Sequence, residues 1–434
     1  MSATEPAGNG LDFRIARLGD CRIPSPMSGL RFVTDHERVL YPSTLDDLKH
    51  FQELGAECPA IECAGPRERL FFDSSSLACG IVTCGGLCPG LNDVIRAIVL
   101  SLHHHYGVQQ IYGFRFGFEG LVAGLGHEPV PLTPKAVNRI HHTGGSILGS
   151  SRGPQDPAAM VDSLQRLGVR VLFAIGGDGT LRGAHAICAE VARRGEQISV
   201  IGVPKTIDND VSFVQKTFGF ETAVTEAWRA TYAANTEAEG AFNGVGLVKL
   251  MGRDSGFIAA YSVLVDGQVN FCLIPEVPFT LDGFTTALRQ RLERRGHAVV
   301  VVAEGAGQDL MARGDERDAS GNVRHGDIGV FLRDAIIRCF KESGTPLSLK
   351  YIDPSYAIRS APATAHDSAF CLLLGHNAVH AAMTGRTDMV VGFWNHQFTH
   401  VPIGLAVSAR KKIDPEGTLW SSVLASTGQP PNLC

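Results

Sequence analysis

Short apolar runs alternate with longer helical segments from about residue 78 onward. The apolar runs predict strands at residues 80–84, 169–175, 198–203, 244–250, 271–274, 298–303 and 389–393. The segments between them predict helices at residues 89–105, 157–167, 182–194, 221–239, 282–295, 327–342 and 365–384. This alternation is typical of doubly wound α/β folds with mostly parallel sheets. We therefore predict an α/β protein with two Rossmann-like lobes.

Changes in this pattern divide the chain into four regions. Residues 1–75 are rich in proline and turn residues and have weak periodicity, so they predict an N-terminal extension. Residues 76–240 predict the first lobe, part of which can return near the C-terminus, and residues 241–400 predict the second lobe. Residues 401–434 predict a C-terminal segment that packs back on the core.

Three glycine-rich loops carry the first chemical signal, at residues 85–90, 144–152 and 176–180. Glycine lets backbone amides approach phosphate oxygens closely, and a following helix adds the positive end of its dipole. Tight turns between strands and helices favour glycine as well, so a single loop would say little. The chain has neither the phosphate-loop pattern of many ATPases nor the spaced glycines of dinucleotide-binding dehydrogenases, which disfavours both classes.

Residues 204–210 read Pro-Lys-Thr-Ile-Asp-Asn-Asp and follow a predicted strand. They combine a cation, a hydroxyl group and two carboxylates, which suits phosphate chemistry. In an extended segment Asp208 and Asp210 would point to the same side. One of them could then act as a base while the other organises its surroundings, although a solvated aspartate at a strand end is the plainer interpretation.

Composition excludes several partners. The 39 Lys and Arg residues against 44 Asp and Glu residues give a net charge of -5, which argues against a nucleic-acid partner. No segment is long enough to predict a membrane span. Several of the 11 cysteines fall in apolar runs and none has the spacing of a zinc site, so we predict a reduced, cytoplasmic protein.

Five motifs in one order resemble the phosphofructokinase family, whose members use ATP or pyrophosphate. They are residues 176–180 (Gly-Gly-Asp-Gly-Thr), 204–210, 251–256 (Met-Gly-Arg-Asp-Ser-Gly), 303–305 (Ala-Glu-Gly) and 356–359 (Tyr-Ala-Ile-Arg). The first motif alone resembles equally a loop of NAD kinases and diacylglycerol kinases, and residues 204–210 resolve that ambiguity. The extension and residues 248–260 and 350–356 look most like the ATP-dependent 6-phosphofructokinases of the plant and trypanosomatid branch.

The resemblance implies a role for each matching residue. It makes Asp208 the general base toward the C1 hydroxyl of fructose 6-phosphate, with Thr206 and Arg253 as catalytic partners, and it makes Asp178 the residue that holds Mg²⁺. The implied ATP-binding residues of the first lobe are Gly86, Arg152, Gly153, Gly177, Asp178, Gly179 and Thr180. The implied sugar-phosphate-binding residues, mainly in the second lobe, are Thr206, Ile207, Asp208, Met251, Gly252, Arg253, Glu304, Tyr356 and Arg359.

Two positions bear on the phosphoryl donor. The resemblance implies that pyrophosphate users generally have Asp at the position of Gly179, where a carboxylate would intrude on the α-phosphate of a nucleotide. Pyrophosphate users also have Lys at the position of Lys205. Gly179 thus indicates ATP and Lys205 indicates pyrophosphate, so the two markers disagree. The branch named above shares this mixture and uses ATP. We predict an ATP-dependent, allosteric glycolytic enzyme that forms a homotetramer or homodimer, with a pyrophosphate-dependent phosphotransferase as the alternative.

Overall fold

The computed structural model describes residues 11–311, 316–317 and 324–434 of the chain. The first ten residues of the predicted extension therefore lie outside the described residues. The strands, in chain order, are β1 (Ala16–Arg17), β2 (Ile23–Pro24), β3 (Arg38–Leu40), β4 (Ala60–Cys63), β5 (Arg69–Leu70), β6 (Ala78–Thr83), β7 (Gln110–Phe114), β8 (Val130–Pro131), β9 (Val169–Gly176), β10 (Ser199–Pro204), β11 (Gly244–Leu250), β12 (Phe271–Leu273), β13 (His297–Ala303), β14 (Ser348–Ile352), β15 (Arg386–Thr387), β16 (Met389–Trp394) and β17 (Gln397–Pro402).

The α-helices are α1 (Leu45–Glu53), α2 (Leu91–Tyr106), α3 (Pro157–Arg166), α4 (Asp178–Arg193), α5 (Phe220–Glu239), α6 (Phe257–Asp266), α7 (Leu281–Arg295), α8 (Ile328–Glu342), α9 (Ser355–Ser360), α10 (Ala365–Met383), α11 (Ile403–Ala406) and α12 (Thr418–Thr427). Every predicted strand and helix is present, with its ends within about one helical turn of the prediction. The predicted α/β class with two mostly parallel sheets is confirmed.

The larger sheet has nine strands in the order β3-β4-β17-β16-β10-β9-β6-β7-β8. Its centre, from β16 to β7, is parallel, and antiparallel strands complete both edges. Side chains of β9 alternate between the two faces: Val171, Phe173 and Ile175 pack with α2 and α10, whereas Leu172 and Ala174 pack with α3 and α4. Because both faces are covered, the strand sequence is continuously apolar.

The smaller sheet is fully parallel, with the order β12-β13-β11-β14. Along β13, Val299 and Val301 face α5 and α6, and Val300 and Val302 face α7 and α8. The sequence pattern missed β14, an edge strand that is only partly buried, and α6, whose nearly continuous apolar sequence hides its helical period.

The predicted boundary of the second lobe at residue 400 requires correction. Helix α10 packs against α2 of the first lobe, and β16 pairs in parallel with β10, with Met389 opposite Ile201. The chain therefore leaves the smaller sheet before Ala365. Local pattern predicts that a strand exists but does not identify its neighbour, which is why the crossover back to the larger sheet was placed too late.

The two terminal regions are integral parts of the sheets and their flanking helices. Strands β3 and β4 of the extension complete one edge of the larger sheet. At the other end of the chain, α12 packs on α6 of the second lobe, and Leu433 forms an isolated bridge with Phe279. Both ends of the chain thus bury apolar surface of the core.

Candidate active site

Three loops converge at the carboxyl ends of β6, β9 and β10. These strands are neighbours in the larger sheet and run parallel, so the loops that follow them lie side by side. Ligands of doubly wound folds bind at this edge of the sheet. The loops line a cavity of about 810 Å³, and residues of the second lobe close its other side.

The loop after β9 leads directly into α4. Helix α4 begins at Asp178, four residues before the predicted start, with Gly177 as its N-cap. A Cβ atom on Gly176 would lie 2.1 Å from Thr180 Oγ1, so only glycine fits there. A Cβ atom on Gly179 would meet no atom within 4 Å, because this position faces open space in the cavity. The free N–H groups of the first turn, together with the helix dipole, favour an anion at this point.

The segment after β10 forms a tight turn. Asn209 has a φ of 55°, in the left-handed region, and its side chain accepts a hydrogen bond from the backbone N–H of Thr217. Thr206 Oγ1 donates to Asp210 Oδ1 over 2.7 Å and accepts from the Asp208 N–H over 3.2 Å. The segment is thus extended only to residue 204 and turns at residues 207–208, and both carboxylates line the cavity.

Asp208 is held between the two lobes. Its Oδ2 accepts a hydrogen bond of 3.4 Å from the backbone N–H of Arg253, while its Oδ1 is buried and has no partner among the described residues. Burial, followed by the negative charges of Asp210 and Glu304, raises the pKa of Asp208 to about 8. A buried carboxyl that lacks a counter-ion is a strong proton acceptor once ionised.

The second lobe supplies Arg253 and Asp254 after β11, Glu304 after β13 and Arg359 from α9. The strand ends are fixed by a hydrogen bond from the Glu304 N–H to Leu250 O. Burial raises the pKa of Glu304, and the nearby Arg359 guanidinium partly offsets this rise. This side of the cavity therefore offers both hydrogen-bond acceptors and positive charge.

Several cations line the cavity, among them Lys205, Arg152 and Arg359. Lys205 is buried and donates from Nζ to the carbonyl oxygen of Gly86 over 2.8 Å, and burial lowers its pKa. Among the described residues, neither Arg152 nor Arg359 forms an ion pair within 4 Å. Both guanidinium groups are thus available to phosphate oxygens.

The structure brings most of the predicted site residues together. Those that line the cavity are Gly86, Arg152, Gly153, Gly177, Asp178, Gly179, Thr180, Lys205, Thr206, Ile207, Asp208, Arg253, Glu304 and Arg359. Met251, Gly252 and Tyr356 do not line it: Met251 is 1% exposed in the core of the second lobe, and Tyr356 is 83% exposed on α9.

Sequence reasoning missed Arg410 as a site residue. Its guanidinium lies 2.9 Å from Asp210, 3.4 Å from Asp178 and 3.9 Å from Asp254. The basic run Arg410-Lys411-Lys412 was visible in the sequence, but its distance along the chain from the acidic motifs gave no reason to connect them.

The residues present fit a magnesium ion that arrives with a phosphate ligand. Asp178 and Asp210 offer the hard oxygen ligands that Mg²⁺ prefers, and Asp208 Oδ1 is unpartnered beside them. Within residues 11–311, 316–317 and 324–434, no group of three or more His, Cys, Asp or Glu side chains could hold a metal by itself. The phosphates of a donor would therefore supply much of the coordination.

All eleven cysteines are free, and several are fully buried. Among the described residues, no helix is long and apolar enough to cross a membrane.

The fold and the site together define a phosphotransferase: glycine-rich loops and a helix N-terminus face a buried carboxylate and several cations across a cavity between two lobes. The family model for phosphofructokinase matches residues 78–382. The chain belongs to the phosphofructokinase family.

Curated relatives match almost the whole chain. An ATP-dependent 6-phosphofructokinase of Borreliella burgdorferi is 46% identical over 97% of this chain and 97% of its own length. One of Amycolatopsis methanolica is 49% identical over 96% and 95%, and one of Trypanosoma brucei brucei is 45% identical over 95% and 86%. Plant enzymes of the same name also match, which confirms the predicted resemblance to the plant and trypanosomatid branch.

Solved structures agree with the fold. A pyrophosphate-dependent phosphofructokinase of Marinobacter aquaeolei superimposes with a TM-score of 0.67 over 82% of this chain and 92% of its own, at 20% identity. This likeness concerns the fold alone.

Proposed function

We propose that this chain is an ATP-dependent 6-phosphofructokinase. It transfers the γ-phosphoryl group of ATP to the C1 hydroxyl of fructose 6-phosphate and produces fructose 1,6-bisphosphate and ADP in glycolysis. The observation that carries the proposal is the agreement over nearly the whole chain with relatives that bear this name. The open space at Gly179 is consistent with a nucleotide as the donor.

In this proposal Asp208 is the general base. The hydroxyl proton at C1 passes to the carboxylate as the C1 oxygen forms its bond to phosphorus, and the bond from phosphorus to the β,γ-bridging oxygen breaks. The proton then leaves Asp208 for solvent. The unpartnered Oδ1 is the atom available to accept it. Thr206 supports this geometry, because its hydroxyl links the Asp208 N–H to the Asp210 carboxylate.

Positive charge stabilises the rest of the transition state, because a loose phosphoryl-transfer transition state requires little covalent chemistry from the protein. We assign Arg152, Lys205 and Arg253 to the phosphates of the donor and to the transferring group. Lys205 is preorganised by its hydrogen bond to Gly86 O, which also fixes the loop beside the nucleotide. Bound Mg²⁺, held by Asp178, would supply further neutralisation of the donor phosphates.

We place the sugar phosphate on the side of the second lobe. Glu304 accepts hydrogen bonds from sugar hydroxyls, and Arg359 binds the 6-phosphate, since a guanidinium can donate two parallel hydrogen bonds to phosphate. Met251 and Gly252 act through Arg253: Gly252 has a φ of 128°, and a Cβ atom there would lie 2.5 Å from Ser255 O. The exposed Tyr356 remains a proposed contact of the 6-phosphate.

A coupled assay with fructose 6-phosphate, Mg²⁺ and either ATP or pyrophosphate tests the proposal. We expect turnover with ATP. Turnover with pyrophosphate alone would show that the donor is wrong, and the alternative enzyme, favoured by Lys205, would then hold. Turnover with neither donor would refute the function itself.

We also propose a homotetramer or homodimer in the cytoplasm. Large apolar side chains are exposed near one another along α5 and α6, including Trp228, Tyr232, Tyr261 and Val265, and exposed apolar patches mark interaction surfaces. Light scattering coupled to size-exclusion chromatography measures the mass of the assembly, and a monomer at micromolar concentration would contradict this part of the proposal.

A further inference from the structure

Arg410 lies where carboxylates from three separate elements meet. Asp178 belongs to the first turn of α4, Asp210 to the turn after β10, and Asp254 to the loop after β11 in the second lobe. The Arg410 guanidinium reaches the first two with Nη2 and Nη1, at 3.4 Å and 2.9 Å, and Nε lies 3.9 Å from Asp254. One cation thus connects the acidic groups of both lobes.

The backbone holds Arg410 in this place. Arg410 forms an antiparallel bridge with Val211, and the Lys411 N–H donates to Asp210 O over 2.9 Å. The buried ammonium of Lys411 donates to Val214 O and to the neighbouring Gln215 O. The C-terminal segment is therefore bound along residues 210–215, which directly follow the turn, and this places the Arg410 side chain beside the cavity.

The same segment also reaches the second lobe. The Ile413 N–H donates to Glu276 Oε1 over 2.9 Å, and the Gly256 N–H donates to the same carboxylate. Gly256 follows closely after Arg253 and Asp254 in the chain. The backbone just after Arg410 is thus tied directly to Asp210 and, through Glu276, to the loop that carries Asp254.

Two neighbouring cations are less directly placed at these acidic groups. Burial lowers the pKa of Lys411 to about 7, and among the described residues its ammonium donates to Val214 O and Gln215 O and forms no ion pair. Arg182 forms an ion pair with Asp178 over 3.1 Å, but its side chain is 60% exposed, and the structure shows no ion pair from it to Asp210 or Asp254 among the described residues. The Asp210 side chain is 4% exposed, so water screens it poorly. Without Arg410, the buried Asp210 carboxylate would lose the guanidinium that pairs with it.

We propose that Arg410 is the internal counter-cation of the catalytic carboxylates: it holds Asp178, Asp210 and Asp254 together before substrates bind, and it competes with the incoming metal for Asp178. Arg410 is in this sense a positioning residue. Asp210 Oδ2 accepts from Arg410, and Oδ1 accepts from Thr206, so the guanidinium acts on Asp208 through the turn. The inference rests on the proposed function for the identity of the metal.

The Mg²⁺ response of the thermal unfolding midpoint tests this inference without substrate or nucleotide. Wild-type protein and Arg410→Met are each heated with and without MgCl₂, with KCl used to match the ionic strength. We expect Arg410→Met to have a lower midpoint in KCl and a rise in MgCl₂ at least about 2 °C larger than that of the wild type, because the metal then replaces the missing cation.

Arg182→Met is the matched control, since it removes a guanidinium from the same Asp178 carboxylate but not from Asp210 or Asp254. Its gain in MgCl₂ should be clearly smaller than that of Arg410→Met, because Arg410 still compensates Asp210 and Asp254. An equal response in wild type and Arg410→Met, or an equal gain in both variants, would overturn the proposal.

If Arg410→Met does not fold in KCl, its recovery decides the question. Refolding in MgCl₂ but not in KCl of equal ionic strength supports the counter-cation role, and failure in both refutes it. Arg410→Lys, which keeps the charge, should retain the wild-type response. Failure of the proposed function would show as a lack of turnover in the wild type, whereas failure of this inference shows in unfolding midpoints alone.

Discussion

Two buried acidic clusters of the first lobe are built in opposite ways. Glu62, in β4 of the extension, is 2% exposed and accepts hydrogen bonds from Arg386 Nε over 2.5 Å and from His400 Nδ1 over 2.8 Å. Burial alone would raise the pKa of Glu62, but His400 and Arg386 hold it well below its usual range. Asp208 has a buried oxygen without a partner, and its pKa is raised to about 8.

The difference distinguishes a cluster that stabilises the fold from one that serves catalysis. Compensation of Glu62 stabilises the attachment of the extension to the larger sheet, because the ionised form is the stable one. Incomplete compensation of Asp208 costs stability and leaves an atom ready to take a proton. Buried charges that lack partners are concentrated at functional sites for this reason.

The largest expected effect comes from Asp208→Asn. We expect kcat to fall by at least about 10²- to 10⁴-fold, as is typical when a general base is removed, while the free energy of unfolding stays equal or rises because an uncompensated carboxyl has gone. Steady-state kinetics and thermal unfolding measure the two quantities. A loss in kcat below about fivefold, with fructose 6-phosphate still bound, would contradict the assignment.

For Glu62→Gln we expect a loss of stability and an unchanged kcat, the reverse of Asp208→Asn. Loss of this carboxylate leaves the guanidinium of Arg386, which is 1% exposed, beside Arg17 and Arg67. Among the described residues, Asp35 is then the one carboxylate paired with the three guanidinium groups, so the free energy of unfolding should fall by about 3–5 kcal/mol. Urea denaturation measures the fall, and kcat of the folded fraction should remain. Asp12→Asn, which breaks an exposed pair with Arg14, is the control and should leave stability unchanged.

Gly179→Asp adds a carboxylate to the cavity that contains Asp208. The new side chain enters open space, so the protein should fold, but it would meet the α-phosphate of ATP with bulk and like charge. We expect kcat/KM for ATP to fall by roughly 10²-fold, the scale of one unfavourable charge contact of several kcal/mol, with pyrophosphate use spared or created. Gly179→Ala is the control, and unchanged ATP kinetics in Gly179→Asp would refute the steric argument.

The two clusters should also titrate in different pH ranges. Because Asp208 must be ionised to act, kcat/KM should rise about tenfold per pH unit and level off near pH 8. Glu62 has a lowered pKa, so its contribution to stability is present above the pKa of an unfolded glutamate and is lost as the pH falls below that value. Kinetic measurements from about pH 4 to 9 and unfolding measurements extended down to about pH 2 would separate them, and an acid limb of kcat/KM near pH 4 would contradict the role of burial at Asp208.

Local sequence patterns predicted most of the secondary structure and most of the cavity. The glycine loops at 85–90 and 176–180 and residues 204–210 stand at strand ends, and parallel strands place such ends at one edge, so their convergence was predictable. The turn at Asn209 was not, because its left-handed conformation depends on hydrogen bonds with Gln215 and Thr217. The start of α4 at Asp178 was missed because a glycine-rich sequence conceals a helix.

The sequence by itself determined the α/β class, the family and the chemical types gathered at the site, because hydrophobic period and motif order are local properties. Tertiary structure alone decided three things: the return of β16 beside β10, the pairing of Glu62 with Arg386, and the position of Arg410 among the catalytic carboxylates. Each joins residues about 150 or more positions apart. Contacts at such separations depend on how whole elements pack, and burial then fixes which charges are compensated and which remain reactive.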